Sequence, residues 1–468
     1  MPDLIVMKHE LLLLAILVIA ILLKLAKDGD NERTLMLMNG MLLVNLVAGF
    51  FMNRTGTMFS GMFRNNDTTI LEKNILNFGT FIIVLQSTPW LKKHRHMPEF
   101  FMLLITTVAG MFYMISSANL LMFFVGLELS TIPLAALSNF DLEKRISSEA
   151  AMKMIMSSAF SSALLLFGIS IVYGATGTLA FDELAKAMHG SPLLLFGFVM
   201  LFSGFAFKMS AVPFHLWTAD VYEGSPVAVT SFLSVISKGA IIFVFVSALC
   251  TVFSGIGETW YQTVCLAALL TMIIGNLFAL RQENLKRFLA FSSIAQVGFI
   301  LVGISGGSQS GMASVIYFVL IYVFSNLGAF GVVSLISALT GRETISDYRG
   351  LYKTNPWLVW VLTISLFSLA GIPPTAGFFG KLFLLTAGAG KGNYVLIVVA
   401  ALNMVISLYY YLRIVNAMFV GTNDSPIPKL ALPVLSRIAF IICLAGVLLA
   451  GFAGDIYQFI FNSSAGVQ

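Results

Sequence analysis

Three features of the sequence predict an all-α integral membrane protein of about fourteen transmembrane helices. Of 468 residues, 58% are hydrophobic and 10% are charged, where an ordinary soluble domain carries roughly 25% charged residues. Apolar runs recur at about 20 residues, the length a helix needs to cross the hydrocarbon core. Lys and Arg gather in every second connection, as they do when alternate loops face the cytoplasm. Together these exclude a water-soluble fold. The net charge of +5 is then a topological signal rather than the mark of an anionic ligand. No basic patch interleaved with aromatics points to nucleic acid.

The first span, near 10–26, has the length of a signal peptide's apolar core. Lys24, Lys27, Asp28 and Asp30 follow it where a small-residue cleavage site would stand, so it reads as a retained helix. Further spans are expected near 35–53, 73–91, 99–117, 118–139, 150–174, 191–217, 226–251, 259–280, 288–306, 311–340, 356–388, 392–420 and 435–462. Ser116-Ser117-Ala118-Asn119 marks a tight turn between the fourth and fifth.

Sixteen Lys and Arg fall in connections after odd-numbered spans. Six, namely Lys8, Arg54, Arg64, Lys73, Lys186 and Lys391, fall on the opposite side. An even span count with this bias puts both termini away from the cytoplasm. Of the 27 Lys and Arg, five are left inside spans: Lys153, Lys208, Lys238, Lys381 and Arg413. Among acids only Glu128 lies deep in one. Cys250, Cys265 and Cys443 are isolated in apolar stretches, so no disulfide framework, metal site or iron–sulfur site is indicated.

Spans seven and twelve are each interrupted by Gly and Pro, at Ser210-Ala211-Val212-Pro213 and Gly371-Ile372-Pro373-Pro374. Proline in a helix interior removes a hydrogen bond and clashes with the preceding turn. Such breaks persist at membrane depth only where protein or water satisfies the freed backbone. The two broken helices are five spans apart and therefore cross in opposite directions. This predicts an inverted repeat, a device of transporters with sites near the midplane. The expected organisation is three helices over 1–98, a five-helix repeat over 99–257, its inverted partner over 258–420 and a last helix over 421–468.

An ionisable group at a helix centre costs about 2.5–3.5 kcal/mol on insertion scales, so each needs a reason. Glu128 is either half of a structural ion pair or a proton carrier. Lys208, Lys238 and Lys381 sit too deep to reach water easily. Burial disfavours a charged ammonium and a neighbouring carboxylate favours it, so a buried lysine near an acid can exchange protons, which arginine cannot. Lys153 lies one turn into span six, where snorkelling explains it as well as function does. Arg413 is placed to anchor a loop. His215 in the second half of span seven is either a proton-passing group or a hydrogen-bonded structural one.

The run from Phe207-Lys208-Met209-Ser210-Ala211-Val212-Pro213-Phe214-His215-Leu216-Trp217 through Tyr222-Glu223-Gly224-Ser225-Pro226 closely resembles the signature of the subunit N family of bacterial NADH-quinone oxidoreductase, respiratory complex I. Further resemblances are Gly126-Leu127-Glu128-Leu129, Asn284-Leu285-Lys286-Arg287-Phe288-Leu289-Ala290-Phe291-Ser292-Ser293-Ile294 and Leu369-Ala370-Gly371-Ile372-Pro373-Pro374-Thr375 through Lys381. The likeness runs from about residue 99 to 415. Ala219 departs from the family, which often has proline there, and affects only a loop. The L subunit continues into a long lateral helix, and subunit M typically has glutamate at the position of Lys381. Both points favour N.

The resemblance implies an antiporter-like fold and proton translocation driven by electron transfer from NADH to quinone. It also implies the roles: Glu128 and Lys208 as the charge pair of the uptake half channel, Lys238 as the central relay, Lys381 as the exit-side group and Lys153 as a modulator. No cofactor is expected in this chain, since it has no G-x-G-x-x-G loop or cysteine cluster. FMN and iron–sulfur clusters are expected in partner subunits. Expected partners are the other membrane and peripheral subunits of complex I, among them adjacent antiporter-like and small membrane subunits, with quinone as the substrate of the complex. The implied location is the bacterial inner membrane. A subunit of a multi-subunit cation/proton antiporter is the alternative, and co-purifying subunits would discriminate the two.

Overall fold

The computed structural model describes residues 4–25, 31–51 and 53–467; Lys27, Asp28 and Asp30 lie outside them. Three N-terminal helices, α1 (Lys8–Leu25), α2 (Asn31–Gly49) and α3 (Asp67–Leu91), precede the rest. A short hairpin, β1 (Gly56–Met58) and β2 (Phe63–Asn65), joins α2 to α3 with Thr57 opposite Arg64. The hairpin is the one piece of paired strand among the described residues, and the all-α expectation did not include it.

Next come α4 (Met97–Ile115), α5 (Leu120–Ser138), α6 (Arg145–Thr176) and a short surface helix, α7 (Phe181–Ala187). The seventh expected span is α8 (Pro192–Met209), a break, and α9 (Leu216–Gly224). The break falls at Ser210, so the second half extends beyond the boundary expected at 217. The eighth is α10 (Val227–Phe232), a π-helical turn over Leu233–Ser237, and α11 (Lys238–Thr251). Then follow α12 (Gly257–Ala279), α13 (Leu285–Ser305), α14 (Gln309–Thr340), the broken pair α15 (Pro356–Ala370) and α16 (Ala376–Ala389), and α17 (Tyr394–Val420). The chain closes with α18 (Val434–Leu449) and α19 (Gly454–Ser463).

Among the described residues, eleven helices are long and apolar enough to cross a membrane, or twelve with α18 and α19 taken as one span. Three expected spans account for the difference from fourteen. The second, α2, carries Asn31, Glu32, Arg33, Asn39 and Asn45 and is less apolar. The twelfth is two pieces of 15 and 14 residues, each short of the ~20 residues a crossing needs. The fourteenth, expected as a single helix over 435–462, bends by 88° between α18 and α19. At that bend Gly451 lies so close to α16 that an added Cβ would meet the Ala376 Cα at 2.9 Å.

Burial sorts the helices into an interior and a rim. The apolar stretch of α13 is entirely buried and α14 nearly so, as suits helices that are hydrophobic all round. By contrast, α6 turns Met152, Met156 and Phe160 outward and α17 turns Val395, Leu402 and Val405 outward, which is where lipid chains would lie.

The connections also segregate. Arg64, Asp182, Ser254, Gly307, Lys391 and Ser464 line one open cavity of about 880 Å³, while Gln282, Arg349, Arg413 and Thr422 line another of about 640 Å³. The first set follows even-numbered spans and the second odd-numbered ones or the end of the thirteenth, as an up-and-down path through a bilayer requires.

The halves flanking α10–α11 repeat several details. Helices α6 and α14 are each 32 residues long and each ends at a left-handed glycine, Gly177 or Gly341. Helices α4 and α5 approach closely at Gly110 and Gly126, and α12 and α13 at Gly275 and Gly298. At each of these four glycines an added Cβ would lie within about 2.5–2.7 Å of the partner's backbone nitrogen. Both broken spans turn through a left-handed residue, Ser210 or Gly371, and each has a cis X-Pro bond two residues further on.

Candidate functional site

The broken helices dictate where cations sit. At the end of α15 the carbonyls of Leu369 and Ala370 lose their helical partners, and Lys381 from the second turn of α16 donates to both, at 2.7 and 3.2 Å. A cation at a helix C-terminus meets the negative end of the helix dipole. Lys381 is 1% exposed and lies over the Phe299 ring, 4.6 Å from its centroid. It has no carboxylate partner among the described residues.

Lys208 occupies the last turn of α8, before the break at Ser210. The break is held by Trp217 Nε1, which donates to the Phe207 carbonyl at 3.1 Å, by Thr218, which donates to Ser210 Oγ at 2.6 Å, and by the Val212 amide, which donates to Thr271 Oγ1 at 3.0 Å. The first and third of these bonds satisfy backbone groups that the expected interruption sets free. Lys208 itself donates to Thr131 Oγ1 at 2.5 Å. Thr131 stands one turn beyond Glu128 on α5, and Glu128 accepts from Ser162 of α6 at 2.5 Å. The implied charge pair is therefore not a direct contact: Glu128 and Lys208 each bond a different hydroxyl, and no carboxylate–ammonium pair forms between them within 4.0 Å. A cavity of about 20 Å³ between Thr131, Ser158, Lys208, Trp217 and Ser237 has room for about one water.

Lys238 follows the π-helical turn directly. Such turns widen the helix and often accompany functional positions. It is 2% exposed, donates to Ser293 Oγ at 2.8 Å and faces the Tyr222 ring. Ser293 belongs to α13, as does Gln296 one turn further on. Gln296 Nε2 donates to the Leu369 carbonyl at 2.9 Å, the same oxygen that receives Lys381, and to the Tyr411 hydroxyl at 3.2 Å. One face of α13 thus holds a partner of Lys238 and, one turn on, a group that shares the carbonyl bound by Lys381. Sequence reading gave Ser293, Gln296, Thr131 and Tyr411 no role, although two polar residues one turn apart on an apolar helix were a usable signal.

The remaining expected residues separate. Lys153 is exposed on α6 and pairs with Glu149 at 2.8 Å and Asp220 at 2.7 Å. Arg287 joins the same Asp220 at 2.7 Å and Glu223 at 2.8 Å. It sits in a surface charge network tying α6, α9 and α13 together, outside the buried line. His215 is buried in the break of span seven, with Nδ1 unpartnered among the described residues. Arg413 donates to the carbonyls of Leu280 and Gln282 at 2.6 and 2.8 Å, anchoring the end of α12.

One expectation is corrected. Lys73, counted with the loop charges, is fully buried in α3 and pairs with Glu10 of α1 at 2.6 Å. Glu72 beside it is 4% exposed, so Glu128 is not the one deep acid. The reason is helical: α3 begins at Asp67, earlier than the apolar run suggests, and carries both residues inward. Cys265 and Cys443 are buried and Cys250 partly so, all three as free thiols. Among the described residues no group of three or more His, Cys, Asp or Glu side chains is placed to hold a metal ion.

Residues 117–407 match the family model described as NADH:quinone oxidoreductase/Mrp antiporter, TM. The NADH-quinone oxidoreductase subunit N of Phocaeicola vulgatus is 43% identical over 463 residues, covering 98% of each chain. The chain belongs to the NADH-quinone oxidoreductase subunit N family. Among solved structures, respiratory complex I from Thermus thermophilus contains a chain that superposes with a TM-score of 0.82 at 28% identity, covering 96% of this chain and 97% of that one. The Mrp complex from a Dietzia species contains one with a TM-score of 0.88 at 20% identity, covering 98% and 97%, which shows a shared fold. As a subunit N family member the chain is a multi-pass membrane protein of complex I, and the antiporter-like fold is the one its broken helices build.

Proposed function

We propose that Glu128, Lys208, Lys238 and Lys381 form one proton path through this subunit of NADH-quinone oxidoreductase, with protons moved across the membrane as electrons pass from NADH to quinone elsewhere in the complex. The observation that carries this reading is that α13 places Ser293, which accepts from Lys238, one turn before Gln296, which donates to the same Leu369 carbonyl as Lys381, so that one helix stands between the helices over 99–257 and the second broken span. Glu128 and Lys208 take protons up through Thr131 and a water-sized cavity, Lys238 relays them, and Lys381 releases them. Lys153 acts on the path from the surface network. His215 serves the break beside Lys208.

FMN and iron–sulfur clusters belong to partner subunits, which include the adjacent antiporter-like and small membrane subunits, and the energy arrives from them by conformational or electrostatic coupling. Both termini face the periplasm of a bacterial inner membrane. The likeness to an Mrp complex extends to fold, whereas the 43% identity to a subunit N covers 98% of the chain, and this favours complex I over a cation/proton antiporter.

The test is Lys238→Ala in the assembled complex. Lys238 is partnered by a neutral hydroxyl, so its loss leaves no orphaned buried carboxylate, the usual cause of collapse when a buried pair is cut. Quinone-dependent NADH oxidation and proton uptake in vesicles should fall together by roughly tenfold or more, a smaller loss than the ~10²–10⁴-fold that a positioned proton-transfer group contributes. Wild-type uptake by the variant would remove Lys238 from the path.

A further inference from the structure

The three N-terminal helices hold charge that the path above does not use. Lys73 is fully engaged: Glu10 of α1 lies 2.6 Å away, Asn65 Oδ1 accepts from it at 3.2 Å, and the Phe63 ring lies 5.0 Å off. Glu72, next along α3, points elsewhere. It is 4% exposed, has no hydrogen bond or ion pair among the described residues, and lines a cavity of about 30 Å³ with Asn66, Thr69 and Ser247. That volume holds one or two waters. Asn66, Thr69 and Ser247 also line the open cavity of about 880 Å³ that carries Arg64, Lys186 and Lys391. The open cavity and the small one beside the buried carboxyl group therefore share hydroxyl- and amide-bearing walls.

An ionised carboxylate without a cation is costly in such surroundings. The nearest ammonium, Lys73, is already neutralised by Glu10. The charged groups facing the outer cavity are Arg64 from the hairpin, Asp182 and Lys186 from α7, and Lys391 from the α16–α17 connection. The walls that α4 and α11 give the inner one are uncharged, at Ile115, Phe243, Val244 and Ser247. The group best suited to this position is one that binds a proton and gives it back to water.

We propose that Glu72 is a second proton-holding site, exchanging protons with the vestibule lined by Arg64, Lys186 and Lys391, apart from the lysine line. It rests on the reading of this chain as a proton-translocating subunit. The chemistry is a reversible O–H bond at the Glu72 carboxyl, with vestibule water as donor and acceptor.

A hydrophobic carbodiimide, which attacks protonated carboxyl groups, tests the site without reference to pumping. In the intact complex in vesicles, mass spectrometry should find the adduct on Glu72 and not on Glu10, with yield falling as pH rises and the carboxyl group loses its proton. No adduct on Glu72 at any pH at which the complex stays intact overturns the proposal. Independently, Glu72→Gln keeps size and removes the exchangeable proton, and should lower proton uptake by roughly tenfold, while Glu72→Asp retains most of it. Wild-type uptake by the assembled glutamine variant overturns a role in translocation. If instead Lys238→Ala pumps normally while Glu72 labels and Glu72→Gln does not pump, the lysine path fails and the Glu72 site stands.

Discussion

Lys208 donates to a threonine hydroxyl while Glu128 accepts from a serine, and this separation sharpens what substitution at Lys208 reports. A countercharge acts by its charge, so arginine would serve nearly as well. A relay releases its proton at some point in the cycle, which a desolvated lysine can do and arginine, charged throughout, cannot. Lys208→Arg is expected to assemble yet to lower coupled NADH oxidation and proton uptake by about tenfold or more, resembling Lys208→Ala. Wild-type turnover by the arginine variant would make Lys208 a structural countercharge and leave Lys238 to begin the relay. Arg413 shows the contrasting case: its guanidinium spans two carbonyls at the end of α12, a geometry built from fixed donors.

Among the elements, the second broken span depends on how closely α16 folds back onto α15. A Cβ at Gly377 would lie 1.9 Å from the Ser368 carbonyl oxygen, and a backbone atom there cannot rotate away as a side chain would. Moving α16 outward would pull Lys381 from the Leu369 and Ala370 carbonyls. Gly377→Ala should therefore cost at least the ~1–3 kcal/mol typical of overpacking, read as a lower midpoint of thermal unfolding for the purified complex, together with loss of proton uptake. Gly174→Ala on the exposed face of α6, where an added Cβ meets nothing within 4 Å, is the control and should hold stability or raise it by up to about 1 kcal/mol. Equal stability of the two variants would mean the break is looser than its contacts imply.

For the whole molecule, the decisive quantity is orientation. The connections that share the larger cavity are those on the side poor in Lys and Arg, which the proposed orientation sets outside the cytoplasm. Single cysteines at exposed Lys186 and Lys93, in a cysteine-free background, are expected to react with an impermeant maleimide from the periplasm and from the cytoplasm respectively in intact and inverted vesicles. Labelling of both from one side would overturn the alternation and the assignment of the vestibule at Glu72 to the periplasmic face.

Composition and span length by themselves determined the all-helical membrane class, because no other structure with 10% charged residues and repeated ~20-residue apolar runs satisfies its backbone in lipid. Gly and Pro together marked the two broken spans in one dimension, whereas proline alone did not, since α3 and α5 run unbroken through Pro89 and Pro133. The identities of Lys208, Lys238 and Lys381 were legible for the same reason: a cation far from either end of an apolar run is conspicuous in one dimension. Partnership was not. That Lys238 meets Ser293, that Lys381 and Gln296 share the Leu369 carbonyl, and that Glu128 and Lys208 bond different hydroxyls rather than each other depend on helix rotation and crossing, which packing between distant segments decides. Lys73 and Glu72 escaped because they lie near a helix end, where sequence distance to the nearest loop is short while α1, α4 and the hairpin close over them in space.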